Sequence, residues 1–361
     1  MNTFTKQHTN IFKGIATLLL LFHHLFYEIE SFQNCFVWSE QWIKALNYIA
    51  LNCKVCVALF LFLSGYGLVK SANGAKSEVT FKFSVLHIFK ILIQLWFIYL
   101  LFVPLGFAFG RTFADIYGTG LSSVKFFLAD LTGTSYLFGY LPKVNETWWF
   151  FGEIIRLYLI FPLFYSGIKK NSVLTLMICV CLEYCYGLIW FVPFVLGMIF
   201  AEKDLLSILM EQKNRKRVIG VLVNALLLLI LIFLNLKYGI LHYGVFSVVI
   251  LAFFAPLIDP DQIIGKALAF IGTHSANIFM FHTFIYLKYM HDFIYGMKYP
   301  VLIFIVFTLI CLIVSMLIEQ LKKLIHYEKI GLFANASIEW FFEKCNYIIK
   351  KILVKISVRT S

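Results

Sequence analysis

A lysine and a histidine, Lys13 and His24, are the side chains in this sequence best placed to do chemistry. The eleven steps of α-helix between them advance about 16 Å and return to within roughly 20° of the starting direction, so the two side chains share one face. A lysine ammonium binds phosphate, and a neutral imidazole accepts a proton from a hydroxyl. The simpler interpretation is a surface anchor and a hydrogen-bonded core histidine.

Two further histidines extend this set. His23 precedes His24 and points about 100° away around the same helix, which favours a structural or supporting contact. Farther along the chain, Ser275 and His282 are separated by two helical turns and therefore share a helix face. A buried histidine in a helical bundle is either a site residue or a partner in a bundle hydrogen bond. The spacing leaves both interpretations open.

An acidic residue follows closely on two tryptophans. Glu153 and Arg156 lie on one helix face, so their charges are expected to pair; otherwise the glutamate is free to orient a histidine or to accept a sugar hydroxyl. Trp148 and Trp149 fit the aromatic belt of a membrane protein and would equally serve as a stacking surface for a sugar.

His87 and Lys90 lie near the start of another apolar run. Most simply they anchor that run at the inner leaflet of a membrane, and phosphate binding is the alternative. Cys53 and Cys56 form a C-x-x-C pair, but no second pair completes a zinc site. We therefore expect no metal.

The elements that carry these side chains are membrane helices. Of the 361 residues, 61% are hydrophobic, 18% aromatic and only 14% charged, whereas soluble domains average about a quarter charged. The net charge of +12 is spread over short links between apolar runs, which argues against a nucleic-acid partner and matches the positive-inside pattern. The sequence predicts an all-α fold, a helical bundle that crosses the bilayer about ten times.

The apolar runs set the order of the predicted spans. Residues 172–201 are interpreted as two short spans around a tight turn near Tyr186 and Gly187. Most lysines and arginines then fall on the side of the amino terminus, so both termini are expected in the cytoplasm. Residues 1–325 form the predicted ten-span domain, and residues 326–361 a basic amphipathic cytoplasmic tail on the inner leaflet. The runs cover roughly 11–27, 47–69, 84–109, 147–168, 172–187, 188–201, 218–236, 240–257, 264–287 and 299–321.

Four pieces of the chain occur in one characteristic order and spacing: Lys13 and then His24, Phe62-Leu-Ser-Gly65, Trp148 and then Glu153 with Tyr158-Leu-Ile-Phe-Pro162, and Gly272-Thr-His-Ser275 with Phe281-His282. Together they resemble the acyltransferase type 3 family, the bacterial membrane acyltransferases with ten spans. The resemblance covers roughly residues 8–320. Its most specific element is the first span, where the family carries a basic residue, usually arginine, then ten residues, then an essential histidine.

The resemblance implies transfer of an acyl group, most often acetyl from acetyl-CoA, onto a hydroxyl of a cell-surface glycan or its lipid-linked precursor in the bacterial cell membrane. No permanently bound cofactor is implied, because acetyl-CoA is a substrate. His24 would then be the catalytic histidine, and Lys13 would help to hold the donor's phosphates. His87 and Lys90 stand where family members often show paired arginines.

The remaining candidates take supporting roles in that scheme. Glu153 and His282 would orient His24 or the acceptor. We expect the acceptor to be contacted by four residues: Trp148, Trp149, His23 and Ser275.

Two other functions compete with acyl transfer. A lipid-linked glycan flippase or transporter would spread charged residues over many spans, whereas here they cluster in the first, fourth and ninth. A glycan polymerase would usually carry a long outer loop rich in arginine, and the longest outside connection, 111–146, has one arginine. Both alternatives stay open on composition alone.

Overall fold

The computed structural model of the chain describes residues 4–32, 39–74, 79–210, 214–238 and 243–360, and their regular secondary structure is helical throughout. This confirms the predicted all-α fold. Two short 3₁₀ helices cover Ser135–Phe138 and Glu146–Trp148, and a π-helix covers Phe284–Tyr289. The α-helices are, in chain order, α1 (Lys6–Phe26), α2 (Ile29–Phe32), α3 (Glu40–Asn52), α4 (Val55–Gly74), α5 (Phe81–Ala108), α6 (Phe113–Tyr117), α7 (Leu121–Leu131), α8 (Trp149–Tyr186), α9 (Phe191–Glu202), α10 (Leu205–Met210), α11 (Asn214–Tyr238), α12 (Tyr243–Phe254), α13 (Ile263–Thr273), α14 (Ser275–Thr283), α15 (His291–Tyr295), α16 (Pro300–Leu324) and α17 (Tyr327–Thr360).

Several helices are long and apolar enough to cross a membrane. Among the described residues there are 6 such stretches, or 7 if α13 and α14, which are bent by 60° at His274, count as one broken span. The helices α9 and α12 are apolar but shorter. The chain is thus a polytopic helical bundle, while the count of ten spans and the side of the termini stay predictions.

Two span boundaries carry information about the fold. The predicted span 47–69 consists of two helices, α3 and α4, which are separated by a break at Cys53 and Lys54. Within α8 the backbone of Asn171 is not helical, with φ −156° and ψ 98°. Gly187, with φ +66°, makes the turn after α8. The helix is therefore interrupted just before the predicted span 172–187, and it ends at the tight turn predicted near Tyr186 and Gly187.

The chain divides into two compact units. Unit 1 comprises Met1–Ser77 and Leu163–Met316, and unit 2 comprises Glu78–Pro162 and Leu317–Ser361. The boundaries pass through α8 and α16, so each of these helices contributes to both units.

Unit 1 is built around α1. Its first turn is fixed by a capping box, in which the amide of His8 donates to the Thr5 hydroxyl and the amide of Thr5 donates to Nδ1 of His8. Farther along, α1 crosses α13 where Gly14 and Gly272 leave no room for a side chain, because a β-carbon at either residue would overlap backbone of the other helix. Such small residues let membrane helices approach closely.

Unit 2 contains the segment 111–146, which is organised by a buried carboxylate. Asp130, at the end of α7, accepts hydrogen bonds from the Ser135 hydroxyl at 2.5 Å and from the amides of Lys143 and Val144 at 2.8 and 3.0 Å. These bonds tie three separate parts of the segment together.

The tail forms helix α17, which packs on α5 of the same unit. Phe97 and Tyr327 are in ring contact at 5.2 Å, and the Lys82 ammonium lies 3.8 Å from the Glu339 carboxylate. That α17 lies on the inner leaflet stays a prediction.

Candidate active site

The candidate active site is centred on a pair of histidines in unit 1. His24 lies in the last turn of α1 and His282 in the last turn of α14. Their ring centroids are 4.8 Å apart, and the ring planes are tilted by 50°. His282 is fully buried, with an exposed fraction of 0%. The fold thus brings together two histidines that the sequence placed on different helices.

The hydrogen bonds of His282 define its tautomer. Its Nδ1 lies 3.0 Å from the carbonyl oxygens of both Ile278 and Phe279. A carbonyl only accepts, so Nδ1 carries the proton and Nε2 holds a lone pair. This Nε2 is buried and has no hydrogen-bond partner among the residues that the structure describes. A buried imidazole lone pair of this kind is able to accept a proton.

His24 presents the complementary arrangement. Its Nδ1 is buried and lacks a hydrogen-bond partner within the described part of the chain, while the residue as a whole is partly exposed. A second ring contact, with Tyr27 at 5.6 Å, is edge-on. Burial of an unpaired polar atom is costly, so such an atom in a histidine is a candidate for function.

His23 supports the site rather than entering it. Its Nδ1 donates to the Ala50 carbonyl at 2.8 Å, and its ring stacks on Tyr27 with a centroid distance of 4.9 Å. The hydrogen bond joins α1 to α3. This is the structural contact that the position of His23 on the helix favoured, and a role in acceptor binding stays a prediction.

The last turn of α1 is held by side chains that the sequence did not single out. Carbonyls at the end of a helix have no partner within the helix. Here the Asn47 amide donates to the carbonyls of Phe26 and Tyr27 at 3.0 and 2.7 Å, and the Tyr295 hydroxyl donates to the carbonyl of Leu25 at 2.8 Å. Together these bonds fix the backbone that carries His24.

Lys13 lies on the same helix as His24, about 16 Å along the axis. Its side chain is partly buried and makes no ion pair with a described residue. The Thr17 hydroxyl donates to its backbone carbonyl at 2.7 Å. An unpaired ammonium at this place suits a phosphate ligand.

The bend between α13 and α14 is filled by polar side chains. His274 Nδ1 lies 2.8 Å from the Ser315 hydroxyl, and the Asn277 amide donates to the same oxygen at 3.1 Å. Ser275, the first residue of α14, is buried at this bend. Ser275 is two turns from His282, and its part in acceptor binding stays a prediction.

The candidates in unit 2 form a second group. Glu153 is 1% exposed and is paired with the Arg156 guanidinium through Oε1. Its Oε2 is buried without a partner among the described residues. Trp148 is 2% exposed and packs on Tyr99 at 6.2 Å, whereas Trp149 is partly exposed. Trp149 is therefore the more accessible of the two rings, and its stacking on a sugar stays a prediction.

The two basic candidates of α5 differ in their surroundings. His87 Nδ1 donates to the Phe83 carbonyl at 2.8 Å, and the two rings are 4.2 Å apart. Lys90 is exposed. Either residue leaves nitrogen atoms available to a phosphate.

Lys54 is a residue near the site that sequence reasoning missed. It stands at the break between α3 and α4, one turn beyond the Ala50 carbonyl that binds His23. The signal was visible, because Lys54 interrupts the apolar run 47–69. Among the described residues, no group of three or more His, Cys, Asp or Glu side chains is placed to hold a metal ion.

Comparison with known proteins identifies the chemistry. The acyltransferase domain model of the type 3 family matches residues 9–320, which is most of the chain. No curated protein and no solved structure is detectably similar. The match contains Lys13, the histidine pair and Glu153. The chain therefore belongs to the acyltransferase type 3 family and is a multi-pass membrane acyltransferase.

Proposed function

We propose that the protein is an O-acetyltransferase that moves an acetyl group from acetyl-CoA to a hydroxyl of a cell-surface polysaccharide or its lipid-linked precursor in a bacterial cell membrane. The observation that carries the proposal is the ring contact of His24 with His282, in which each ring has a buried nitrogen without a hydrogen-bond partner among the described residues. A paired imidazole is suited to taking a proton from a hydroxyl and returning it to a leaving group.

The tautomer of His282 sets the direction of proton transfer. We place the proton of the neutral His24 ring on Nδ1, which makes no hydrogen bond to a described residue and would donate to Nε2 of His282 in the reacting complex; the lone pair of His24 is then on Nε2. That lone pair takes the proton of the acceptor hydroxyl while the hydroxyl oxygen attacks the thioester carbonyl carbon. The carbon–sulfur bond breaks, and the imidazolium of His24 returns the proton to the CoA thiolate. A transient acyl group on Nε2 of His24 is the covalent variant of this scheme.

Lys13 supplies the donor end of the site. We assign it to the phosphates of CoA, with the thioester directed along α1 towards His24. The separation of about 16 Å is of the order that the extended pantetheine arm of CoA spans. His87 and Lys90 are further candidates for the phosphates. Lysine keeps the charge of the arginine usual in the family but loses its bidentate geometry, so donor binding is expected to be weaker than with arginine.

Mass spectrometry of the cell's surface polysaccharide tests the proposal. Wild type is compared with a deletion strain, a His24→Ala strain and a His291→Ala control at equal protein level. We expect an ester-linked acetyl group to disappear in the first two while polymer length and amount stay normal. A polymer that is lost or shortened in the deletion strain would instead favour a flippase or polymerase. An ester that persists in His24→Ala would remove His24 from the chemistry.

A further inference from the structure

Lys54 occupies an unusual place in the fold. It lies between α3, which ends at Asn52, and α4, which begins at Val55, although Glu40–Gly74 reads as one continuous apolar stretch. The backbone hydrogen bonds continue across this short turn, since the amide of Lys54 donates to the Leu51 carbonyl at 3.3 Å and the amide of Val57 donates to the Lys54 carbonyl at 3.1 Å. A lysine within such a stretch is a candidate for function.

The register of α3 on α1 sets the level of Lys54 along α1. Asn47 bonds the end of α1, and Ala50 bonds His23 one turn earlier in α1, so the two helices run antiparallel. Lys54 follows Ala50 by one turn, about 6 Å along the axis. It therefore lies at a level between Lys13 and His24 along α1.

Lys54 differs from other lysines of α3 and α4 in having no counter-ion. Lys44 pairs with Glu40 at 2.7 Å, and Lys70 pairs with Asp204 at 3.0 Å. Lys54 makes no ion pair with any residue that the structure describes, and its side chain is exposed. An unpaired cation at this level is available to stabilise a negative charge that develops on a bound substrate.

We propose that Lys54 is a catalytic residue that stabilises the oxyanion formed during acyl transfer, an inference that rests on the proposed function. When the acceptor oxygen attacks the thioester carbonyl, the carbonyl π electrons move to oxygen. The Lys54 ammonium donates a hydrogen bond to that oxyanion and transfers no proton. Collapse of the intermediate re-forms the carbonyl and expels the CoA thiolate, which His24 protonates. Fixed donors directed at a developing oxyanion are often the largest single contribution to catalysis.

A lysine on a membrane helix has a simpler role available, since its long side chain can reach the phosphates of lipid headgroups. A headgroup contact and oxyanion stabilisation predict different effects on kcat when the charge of Lys54 is removed. A headgroup contact leaves the chemical step unchanged when the charge is removed. An oxyanion contact affects kcat and leaves the binding of ground-state acetyl-CoA nearly unchanged.

The test compares Lys54→Met, Lys54→Arg and the matched control Lys44→Met. Membrane vesicles that carry the full-length protein and the cell's own glycan acceptors receive radiolabelled acetyl-CoA, and kcat and KM are taken from the initial rates of glycan labelling. Binding of acetyl-CoA to each purified variant is measured by calorimetry. We expect kcat to fall about 100-fold in Lys54→Met with acetyl-CoA affinity within about threefold of wild type. Lys54→Arg should recover at least about a tenth of the wild-type rate, and Lys44→Met should match wild type.

Each other result overturns the assignment in a distinct way. A Lys54→Met variant with wild-type kcat leaves Lys54 only a headgroup contact. Weakened acetyl-CoA binding at unchanged kcat makes Lys54 a donor-binding residue. Loss of acetyl-CoA binding in both Lys54 variants makes its role structural. Wild-type vesicles that label no glycan would overturn the proposed function itself, whereas active wild type with active Lys54→Met overturns the role of Lys54 alone.

Discussion

Gly14 of α1 and Gly272 of α13 bring the backbones of their two helices into direct contact, next to Lys13. A β-carbon on Gly272 would overlap the carbonyl oxygen of Asn10 and approach the amide of Gly14. The crossing fixes how α1 lies against the broken helix that continues into α14. The position of His24 relative to His282 therefore depends on two residues that have no side chain.

Gly272→Ala tests this dependence. The added methyl group must push α13 away from α1, and overpacking of this kind costs about 1–3 kcal/mol. We expect a lower thermal unfolding midpoint and reduced acetyl transfer, although no polar group is removed. Gly67→Ala in α4 is the control, because a β-carbon there meets nothing within 4 Å. If Gly272→Ala and Gly67→Ala change the unfolding midpoint and the transfer rate equally, then activity does not depend on the close crossing of α1 and α13.

The pair His24 and His282 predicts non-additive kinetics. His24→Ala should lower kcat by about 10⁴-fold and His282→Ala by about 100-fold, which are the two ends of the range typical of proton transfer through a positioned side chain. If the two rings act as a unit, the double variant will be no slower than His24→Ala. The rates are compared in vesicles at equal protein level, with His291→Ala as the control. Full activity of His282→Ala would exclude the proposed proton path.

Part of the candidate site can be predicted from the sequence, and the rest cannot because it depends on how the helices pack. Helix periodicity alone places Lys13 and His24 on one face. The contact of His24 with His282 depends on how distant helices pack, which no local pattern encodes. The sequence shows Lys54 as a charge within the apolar run 47–69, but it does not show that one helix ends and the next begins there, because hydropathy records composition rather than backbone direction.

Tyr295→Phe is predicted to loosen the end of α1. The hydroxyl of Tyr295 donates to the Leu25 carbonyl, and the ring is buried. Phenylalanine keeps the packing and removes one hydrogen bond, which is worth about 1 kcal/mol. We expect a small loss of stability and a larger fall in kcat than in acetyl-CoA affinity, because His24 follows the backbone of this turn. Hydrogen exchange at Leu25 and Phe26 should rise in the variant; unchanged exchange there would contradict the anchoring role.

Asp130 predicts a pH dependence of unit 2. Burial raises the pKa of Asp130 above its usual range, although three donors surround it. The native state then keeps the Asp130 proton to higher pH than the unfolded chain does, so this contribution to stability is present at low pH and is lost as pH rises through the raised pKa. The difference in unfolding midpoint between wild type and Asp130→Asn should therefore fall as pH rises above about 4.

Asp115 in the same segment gives an internal comparison of opposite sign. Hydrogen bonds from the hydroxyl and amide of Thr112 lower the pKa of the exposed Asp115 carboxyl. The stability that Asp115 contributes is fully present at pH values above the usual aspartate pKa, and it is lost as pH falls through the lowered pKa of Asp115. The difference in unfolding midpoint between wild type and Asp115→Asn should therefore grow as pH rises towards neutrality. Parallel trends for the two variants would point to a general effect of pH on the segment.

Substitutions of Glu153 and its partner Arg156 test whether this ion pair of unit 2 stabilises the fold or takes part in acyl transfer. Removing one partner of a fully buried pair costs about 3–5 kcal/mol, whereas replacing both partners is often neutral; Arg156 is 30% exposed, so a smaller cost is expected here. Glu153→Gln should therefore lower stability, and the double variant Glu153→Gln/Arg156→Met should restore most of it. Because Oε2 of Glu153 is buried with no partner among the described residues, we expect the carboxylate to be needed for transfer as well. The double variant should then be stable and inactive, and recovery of acetyl transfer together with stability would assign Glu153 to the ion pair alone.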